Sequence, residues 1–173
     1  MEPISLETIE QADFFVSRMD ANQLEEWKEK FLERQPYLTN FFNVADTFGI
    51  NQNQQNFVFQ CYLVILISFN YYGVTFPEFE KDEHLKTIYF WRDYFMKGGK
   101  NPTNYKRQKI IVKESYQTFL CNYISQKFSD AKLGNQPLFS PDNVVPILNL
   151  YLLIDFLHKE TVRIGEEHEK TGD

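Results

Sequence analysis

With 173 residues, of which 43% are apolar and 17% aromatic, the chain has the length of one domain and enough apolar side chains for its own core. Seven glycines and seven prolines are few for this length, which argues against a disordered chain and against a turn-rich β fold. The net charge of −6 disfavours nonspecific binding to nucleic acid or anionic membranes.

The N-terminus and the cysteines predict the compartment. Residues 1–15 have neither the basic nor the apolar region of a signal peptide. Cys61 and Cys121 lie in apolar helical patterns, and two cysteines in a chain of this size do not resemble a disulfide framework. We therefore expect a reduced, cytoplasmic protein.

Three helical patterns occupy the first fifty residues. The first covers about 5–18. The second starts at Asp20, an N-cap residue with Gln23 three positions later as in a capping box. The third starts at Pro36, and Gly49 is suited to end it. The predicted inward faces are Ile9, Ala12 or Asp13, Val16 and Met19 in the first helix, and Leu24, Trp27 and Phe31 in the second.

The stretch FVFQCYLVILISFNYY, residues 57–72, lies in a segment without charge between Asp46 and Glu78. Its densest apolar part is shorter than the about 20 residues that a membrane span needs. A lone β-strand in a helical chain has no strand to pair with. We therefore predict a long helix, capped by Asn51 or Asn53, that is buried on nearly all sides. Cys61 and Leu66 are then expected in the core.

The second half of the chain continues the helical pattern. One helix is predicted over about 80–97 and another over about 104–129, separated by the break KGGKNPTN. The longest loop follows, before a last helix that starts at the N-cap residue Asn143. The apolar run at 144–157 makes this helix similar in character to the buried one.

Together these patterns predict an all-α fold, a single domain over 1–173 made of about seven helices. The apolar helices near 52–72 and 143–164 form the central pair, and the polar tail at 165–173 is expected to fray. No repeat and no linker divides the chain.

Asp155 and His158 are the first candidate site. Asp155 interrupts the second apolar run, and His158 follows one turn later on the same face. A buried carboxyl group beside an imidazole can act as an acid–base pair. The structural alternative is that Asp155 pairs with a lysine or arginine, or faces the surface.

No metal, cofactor or nucleophile is expected. Glu80 and His84 lie among charged residues typical of a solvated helix start, and their spacing does not match that of di-metal helix bundles. Cys61 and Cys121 lie in apolar surroundings that make a thiol inert.

A basic segment, residues 97–113, is the second candidate site. It contains no acid between Asp93 and Glu114, whereas residues 1–50 carry ten acids against four bases. Its GGK turn lacks the spacing of a P-loop. We expect it to dock an acidic protein partner rather than nucleic acid. Its cations are Lys97, Lys100, Lys106, Arg107, Lys109 and Lys113.

These observations favour a non-enzymatic protein-binding domain, such as an inhibitor, an antitoxin or an immunity protein. The expected docking surface is either the basic segment or the acidic N-terminal helices. We expect no membrane partner, and the sequence is compatible with a homo-oligomer. Two alternatives are a small helical enzyme that uses Asp155 and His158, and a nucleic-acid-associated protein that uses the basic segment.

Overall fold

The computed structural model describes residues 2–34, 49–71, 86, 104–139 and 145–171, and the side chains there except those of 32, 34, 104–108, 145 and 167–171. Six helices and one small hairpin occupy these ranges, which confirms the all-α class. The predicted helices at 36–49 and 80–97 lie outside the described residues apart from Gly49 and Lys86. The elements are α1 (Leu6–Ser17), α2 (Ala21–Arg34), α3 (Gln52–Tyr71), α4 (Asn104–Glu114), α5 (Thr118–Asp130), β1 (Lys132–Leu133), β2 (Gln136–Pro137) and α6 (Val145–Thr171).

Side-chain caps fix where the first three helices begin. The Ser5 hydroxyl accepts a hydrogen bond from the backbone N–H of Thr8 at 3.2 Å. Before α2, the backbone N–H of Asp20 donates to Gln23 Oε1 and that of Gln23 to Asp20 Oδ1, both at 2.9 Å. Asn51 and Gln54 form the same reciprocal pair before α3, at 2.9 and 3.1 Å. The predicted caps at Asp20 and Asn51 are therefore confirmed.

The apolar helices α3 and α6 lie at the centre of the packing. α1 packs most extensively against α3, and α6 contacts α3, α4 and α5. Each fully buried aliphatic or aromatic side chain contributes roughly 1.5–3 kcal/mol to folding. The predicted central pair is confirmed. The largest fully buried side chains on these two helices are Tyr62, Leu63, Ile65, Phe69, Tyr151 and Phe156.

Across the described part of the chain, no helix combines the length and the apolar composition needed to cross a membrane.

The single helix predicted over 104–129 is wrong, because the structure has two helices there. α4 ends at Glu114 and α5 begins at Thr118. The backbone N–H of Gln117 donates to Ser115 Oγ at 3.1 Å, and the Thr118 hydroxyl donates to the carbonyl of Ser115 at 2.9 Å. Serine and threonine side chains that bond to nearby backbone groups in this way compete with helix continuation.

Two further boundaries differ from the prediction. The predicted loop after residue 130 contains a small hairpin of two strands, each two residues long. Its turn includes Gly134, whose φ is +63°. The last helix, predicted over 143–164, extends to Thr171. Gly165 does not stop it, since a single helical glycine costs only about 1 kcal/mol relative to alanine.

Candidate functional site

Asp155 and His158 are both buried, on the face of α6 that packs into the fold. The Lys159 ammonium lies 2.7 Å from Asp155 Oδ2, one turn along the same helix. The carboxylate therefore has a cation as its neighbour, as the structural alternative from the sequence proposed. A carboxylate with an ammonium group this close does not resemble an isolated, desolvated acid catalyst.

His158 belongs to a polar contact that the sequence did not indicate. Its Nδ1 lies 3.2 Å from the Nε2 of the buried Gln117, and Gln117 Oε1 accepts a hydrogen bond of 2.8 Å from the backbone N–H of Ile4. Only an oxygen can accept from Ile4, so the amide orientation is fixed and Nε2 must donate to His158. His158 is therefore neutral, with Nδ1 as acceptor. We call Ile4, Gln117 and His158 the polar junction.

The surroundings of the polar junction favour this neutral imidazole. Burial lowers the pKa of His158 below its ordinary value of 6.5, and the positive charges of the chain's amino group and of Lys159 lower it further, against the opposing effect of Asp155. The Tyr116 ring, itself largely exposed, stacks on the imidazole at 5.1 Å between centroids with 19° between planes. The imidazole is thus covered as well as hydrogen-bonded.

Cys121 lies beside this junction but does not have the properties of a nucleophile. Its side chain is fully buried, and Sγ donates to Ser115 Oγ at 3.6 Å. Burial raises the pKa of the Cys121 thiol to about 12. The thiol of Cys61 is also buried, with its pKa raised to about 12 by burial. At neutral pH both thiols are protonated, as expected of structural cysteines.

The basic segment is only partly described. Lys97 and Lys100 lie outside the described residues, and for Lys106 and Arg107 only the helical backbone of α4 is described. The remaining two cations are exposed on α4, which packs inward through the buried Ile111. The docking role of this segment stays a prediction from the sequence. The two exposed cations are Lys109 and Lys113.

Glu80 and His84, which the sequence assigns to a solvated helix start, also lie outside the described residues. Among the residues that are described, no group of three or more His, Cys, Asp or Glu side chains is arranged to hold a metal ion.

A groove lies at the N-terminal helices, with walls that are both aromatic and charged. Side chains from α1, α2 and the end of α3 surround a cavity of about 760 Å³. Four aromatic rings on its walls are largely exposed: Phe14 at 58%, Phe15 at 46%, Trp27 at 42% and Tyr71 at 52%. We call this cavity the N-terminal groove.

The charged residues of the N-terminal groove are mainly acidic. Glu7 and Glu10 line it from α1, and Arg18 is its one cation among the described lining residues. The Arg18 guanidinium lies over the Phe14 ring, 4.1 Å from its centroid. A cation thus already occupies one aromatic face in the groove, as expected where aromatic and acidic groups lie together.

Trp27 shows why the sequence missed this groove. The sequence pattern predicts that Trp27 lies on the inward face of α2 together with Leu24 and Phe31. The prediction is right for Phe31, whose side chain is only 8% exposed. At 3.6 residues per turn, the direction of Phe31 around the helix axis differs from that of Leu24 by only about 20°. The direction of Trp27 differs from that of Leu24 by about 60°. Trp27 therefore lies at the edge of the apolar face and forms a wall of the groove.

Phe14 and Phe15 did carry a signal. Both lie off the stripe formed by the buried residues Ile9, Ala12 and Val16 of α1. Two adjacent aromatic residues outside a helix's buried stripe must meet solvent or a partner.

No protein-family model matches this chain, and neither a curated protein nor a solved structure is significantly similar to it.

Proposed function

We propose that the protein is a non-enzymatic, cytoplasmic protein-binding module, comparable in role to an inhibitor, an antitoxin or an immunity protein, and that its partner docks in the N-terminal groove. The observation that supports this most strongly is the meeting of four exposed aromatic rings with two carboxylates around one cavity. The partner segment that fits these walls is a basic amphipathic helix.

The aromatic walls support a protein partner. Exposed apolar surface that is rimmed by polar residues commonly marks an interaction site. Tryptophan and tyrosine are enriched among the residues that carry most of the binding energy in interfaces. Because the four rings are each about half exposed, the cavity is an open groove, and a helix can lay apolar side chains between the rings.

The charge of the N-terminal helices supports a basic partner. Residues 6–34 contain eight acids and four bases, and the bases Lys28 and Lys30 already pair with Glu25 and Glu26. Such an excess of carboxylates accelerates association with cations and disfavours acidic competitors. A helix with apolar anchors and flanking lysines or arginines satisfies both the rings and the carboxylates.

The reactive side chains in and around the polar junction support a non-enzymatic role in turn. Asp155 has Lys159 as its neighbour, the imidazole of His158 receives an amide hydrogen bond, and the thiol of Cys121 is buried. These groups contribute to packing and hydrogen bonding within the fold, and none of the three is arranged as an activated nucleophile with its base.

Trp27 offers a direct test. The chain has two tryptophans, so Trp91→Phe leaves Trp27 as the one indole reporter in the groove. An amphipathic helical peptide of lysine and leucine should shift the emission of Trp27 to shorter wavelength and bind more weakly as salt rises, since exposed charges are screened. The matched peptide of glutamate and leucine should not bind.

Two charge-reversed variants separate the candidate surfaces. Glu7→Lys with Glu10→Lys should abolish binding of the lysine peptide, whereas Lys109→Glu with Lys113→Glu should leave it unchanged. Both should keep the melting temperature, because exposed charges contribute little to stability. Binding of the glutamate peptide that depends on Lys109 and Lys113 would transfer the docking role to the basic segment.

The natural partner can be identified by photocrosslinking in cells. A photoreactive phenylalanine analogue replaces Phe15 in the groove or, as a matched control, the exposed Phe119 on α5. We expect an adduct at a basic helical segment from position 15 alone, lost in the Glu7→Lys, Glu10→Lys background. Identical adducts from both positions would contradict docking in the groove.

A further inference from the structure

We propose that the polar junction is a proton-sensitive contact, which holds the N-terminal segment (residues 2–5) against α5 and α6 only while His158 is neutral. The inference does not depend on the partner or on the N-terminal groove. It follows from the order of donors and acceptors across three separate parts of the chain.

The contact has one consistent arrangement of hydrogens. Ile4 is fully buried, and its backbone N–H can only donate, so Gln117 must present Oε1 to it. The other end of the same amide, Nε2, can only donate, so His158 Nδ1 must accept. Gln117 is itself buried at 1% exposure, directly before α5, where a change of rotamer has little room. Each bond therefore fixes the direction of the next.

A proton on His158 is incompatible with this arrangement. Protonation places an N–H on Nδ1, and two donors then face each other across 3.2 Å. If the amide rotates by half a turn, its oxygen can accept from His158, but its NH₂ group then faces the N–H of Ile4. One of the two buried bonds is lost either way, and an unsatisfied buried donor destabilises the state that contains it.

The charged groups around His158 come from several elements. Asp155 and Lys159 lie on α6, and the first favours the imidazolium while the second opposes it. The amino group at the start of the chain also opposes it. Tyr116, between α4 and α5, stacks on the ring, and Cys121 on α5 lies beyond Ser115 with its thiol protonated. Burial is the largest influence and favours the neutral ring. The neighbours thus agree with the neutral form that the hydrogen bonds require.

The sign of the pH dependence follows from the lowered pKa of His158. In the unfolded chain His158 is protonated near pH 6.5, whereas in the folded chain it is protonated only at a lower pH. The stabilisation by the neutral ring is therefore fully present above pH 6.5 and is lost as the pH falls from there through the folded pKa. Release of the N-terminal segment is expected in the lower part of that window.

Two signals test this in the unmodified protein. Histidine NMR, assigned by the loss of one resonance in His158→Asn, gives the midpoint of His158 among the three histidines. Amide exchange gives the protection factor of Ile4. We expect the titration midpoint of His158 to lie below pH 6.5. The protection factor of Ile4 should fall about tenfold or more as the pH passes through this midpoint, while that of Ile124 in α5 stays constant. Protection of Ile4 that stays constant through the His158 titration overturns the inference.

Two variants give opposite expectations. In His158→Asn, the Asn oxygen replaces Nδ1 as acceptor and cannot titrate, so Ile4 should stay protected at every pH at which the protein folds. In Gln117→Glu, both side-chain oxygens accept, so the pKa of His158 should rise above that of the unmodified protein. An unchanged His158 midpoint in a folded Gln117→Glu would contradict the contact. If that variant does not fold, the exchange of Ile4 in the unmodified protein still decides.

Discussion

The side-chain amide of Asn149 donates a hydrogen bond of 2.6 Å to the hydroxyl of Tyr62, and this bond joins α6 to α3 in the core. Tyr62 is 1% exposed, and its ring packs edge-on against Phe31 of α2 at 6.1 Å between centroids. One side chain therefore connects three helices. Burial raises the pKa of Tyr62 above its ordinary value, so the hydroxyl is protonated and available to this bond throughout the neutral range.

A double-mutant cycle measures this bond. Tyr62→Phe keeps the ring contacts and removes the hydroxyl, which should lower the free energy of unfolding by about 0.5–1.5 kcal/mol. Combined with Asn149→Ala, the cycle should give a coupling energy of at least about 0.5 kcal/mol in urea unfolding. Strict additivity would mean that the two groups do not interact in solution.

Leu63 and Leu66 provide a matched test of the buried face of α3. Both leucines line a cavity of about 580 Å³ between α2 and α3, but Leu63 is only 1% exposed, whereas Leu66 is partly buried. Leu63→Ala should cost about 2–5 kcal/mol. Leu66→Ala should cost clearly less, because it creates little new cavity. Equal losses in thermal or urea unfolding would mean that Leu66 is as enclosed as Leu63.

Gly165 and Gly134 should respond to alanine in opposite directions. Gly165 lies within α6 with open space where an added methyl group would lie, so Gly165→Ala should stabilise by about 0.5–1 kcal/mol. Gly134 also has open space, but its φ is +63°, and Gly134→Ala should destabilise by roughly 1–2 kcal/mol. Urea midpoints at constant slope measure both changes. A destabilised Gly165→Ala would contradict a helical residue 165.

Cys61 and Cys121 should be unreactive in the folded protein. They are 3% and 0% exposed, and burial raises the pKa of each thiol to about 12. At pH 8 a reagent therefore cannot reach either sulfur, and neither thiol is ionised to the reactive thiolate. An aromatic disulfide reagent should titrate about two thiols in denaturant and almost none without it. Rapid reaction of one native thiol, identified in Cys61→Ala or Cys121→Ala, would place that cysteine at the surface.

Local signals in the sequence predicted much of the fold. The caps at Asp20 and Asn51 and the largely apolar character of 57–69 each report on neighbouring residues, and the structure confirms both caps and the burial of this helix. Such features depend on hydrogen bonds within a turn and on helical periodicity, which a single sequence shows directly.

The candidate site depends on contacts that local patterns cannot show. Gln117 meets Ile4 across 113 residues and His158 across 41, and nothing in its own neighbourhood marks it as buried. The break between α4 and α5 has a different, local origin, because Ser115 bonds to Gln117 and Thr118 within a helix pattern that is otherwise continuous. Asp155 was found because a charge interrupts an apolar run, but whether it acts as a catalyst or an ion-pair partner depended on Lys159.

Substitutions of Asp155 and Lys159 test the structural role of their ion pair. The Asp155 side chain is 12% exposed and that of Lys159 46%. Asp155→Asn leaves an ammonium that water can solvate, and should cost less than about 1 kcal/mol. Lys159→Met removes the cation beside a mostly buried carboxylate, and should cost about 1–2 kcal/mol, between the values for exposed and buried pairs. Urea unfolding measures both variants, with Arg163→Met, which removes the similarly exposed contact to Glu160, for comparison. A larger loss for Asp155→Asn than for Lys159→Met would mean that the carboxylate contributes mainly through contacts other than this ion pair.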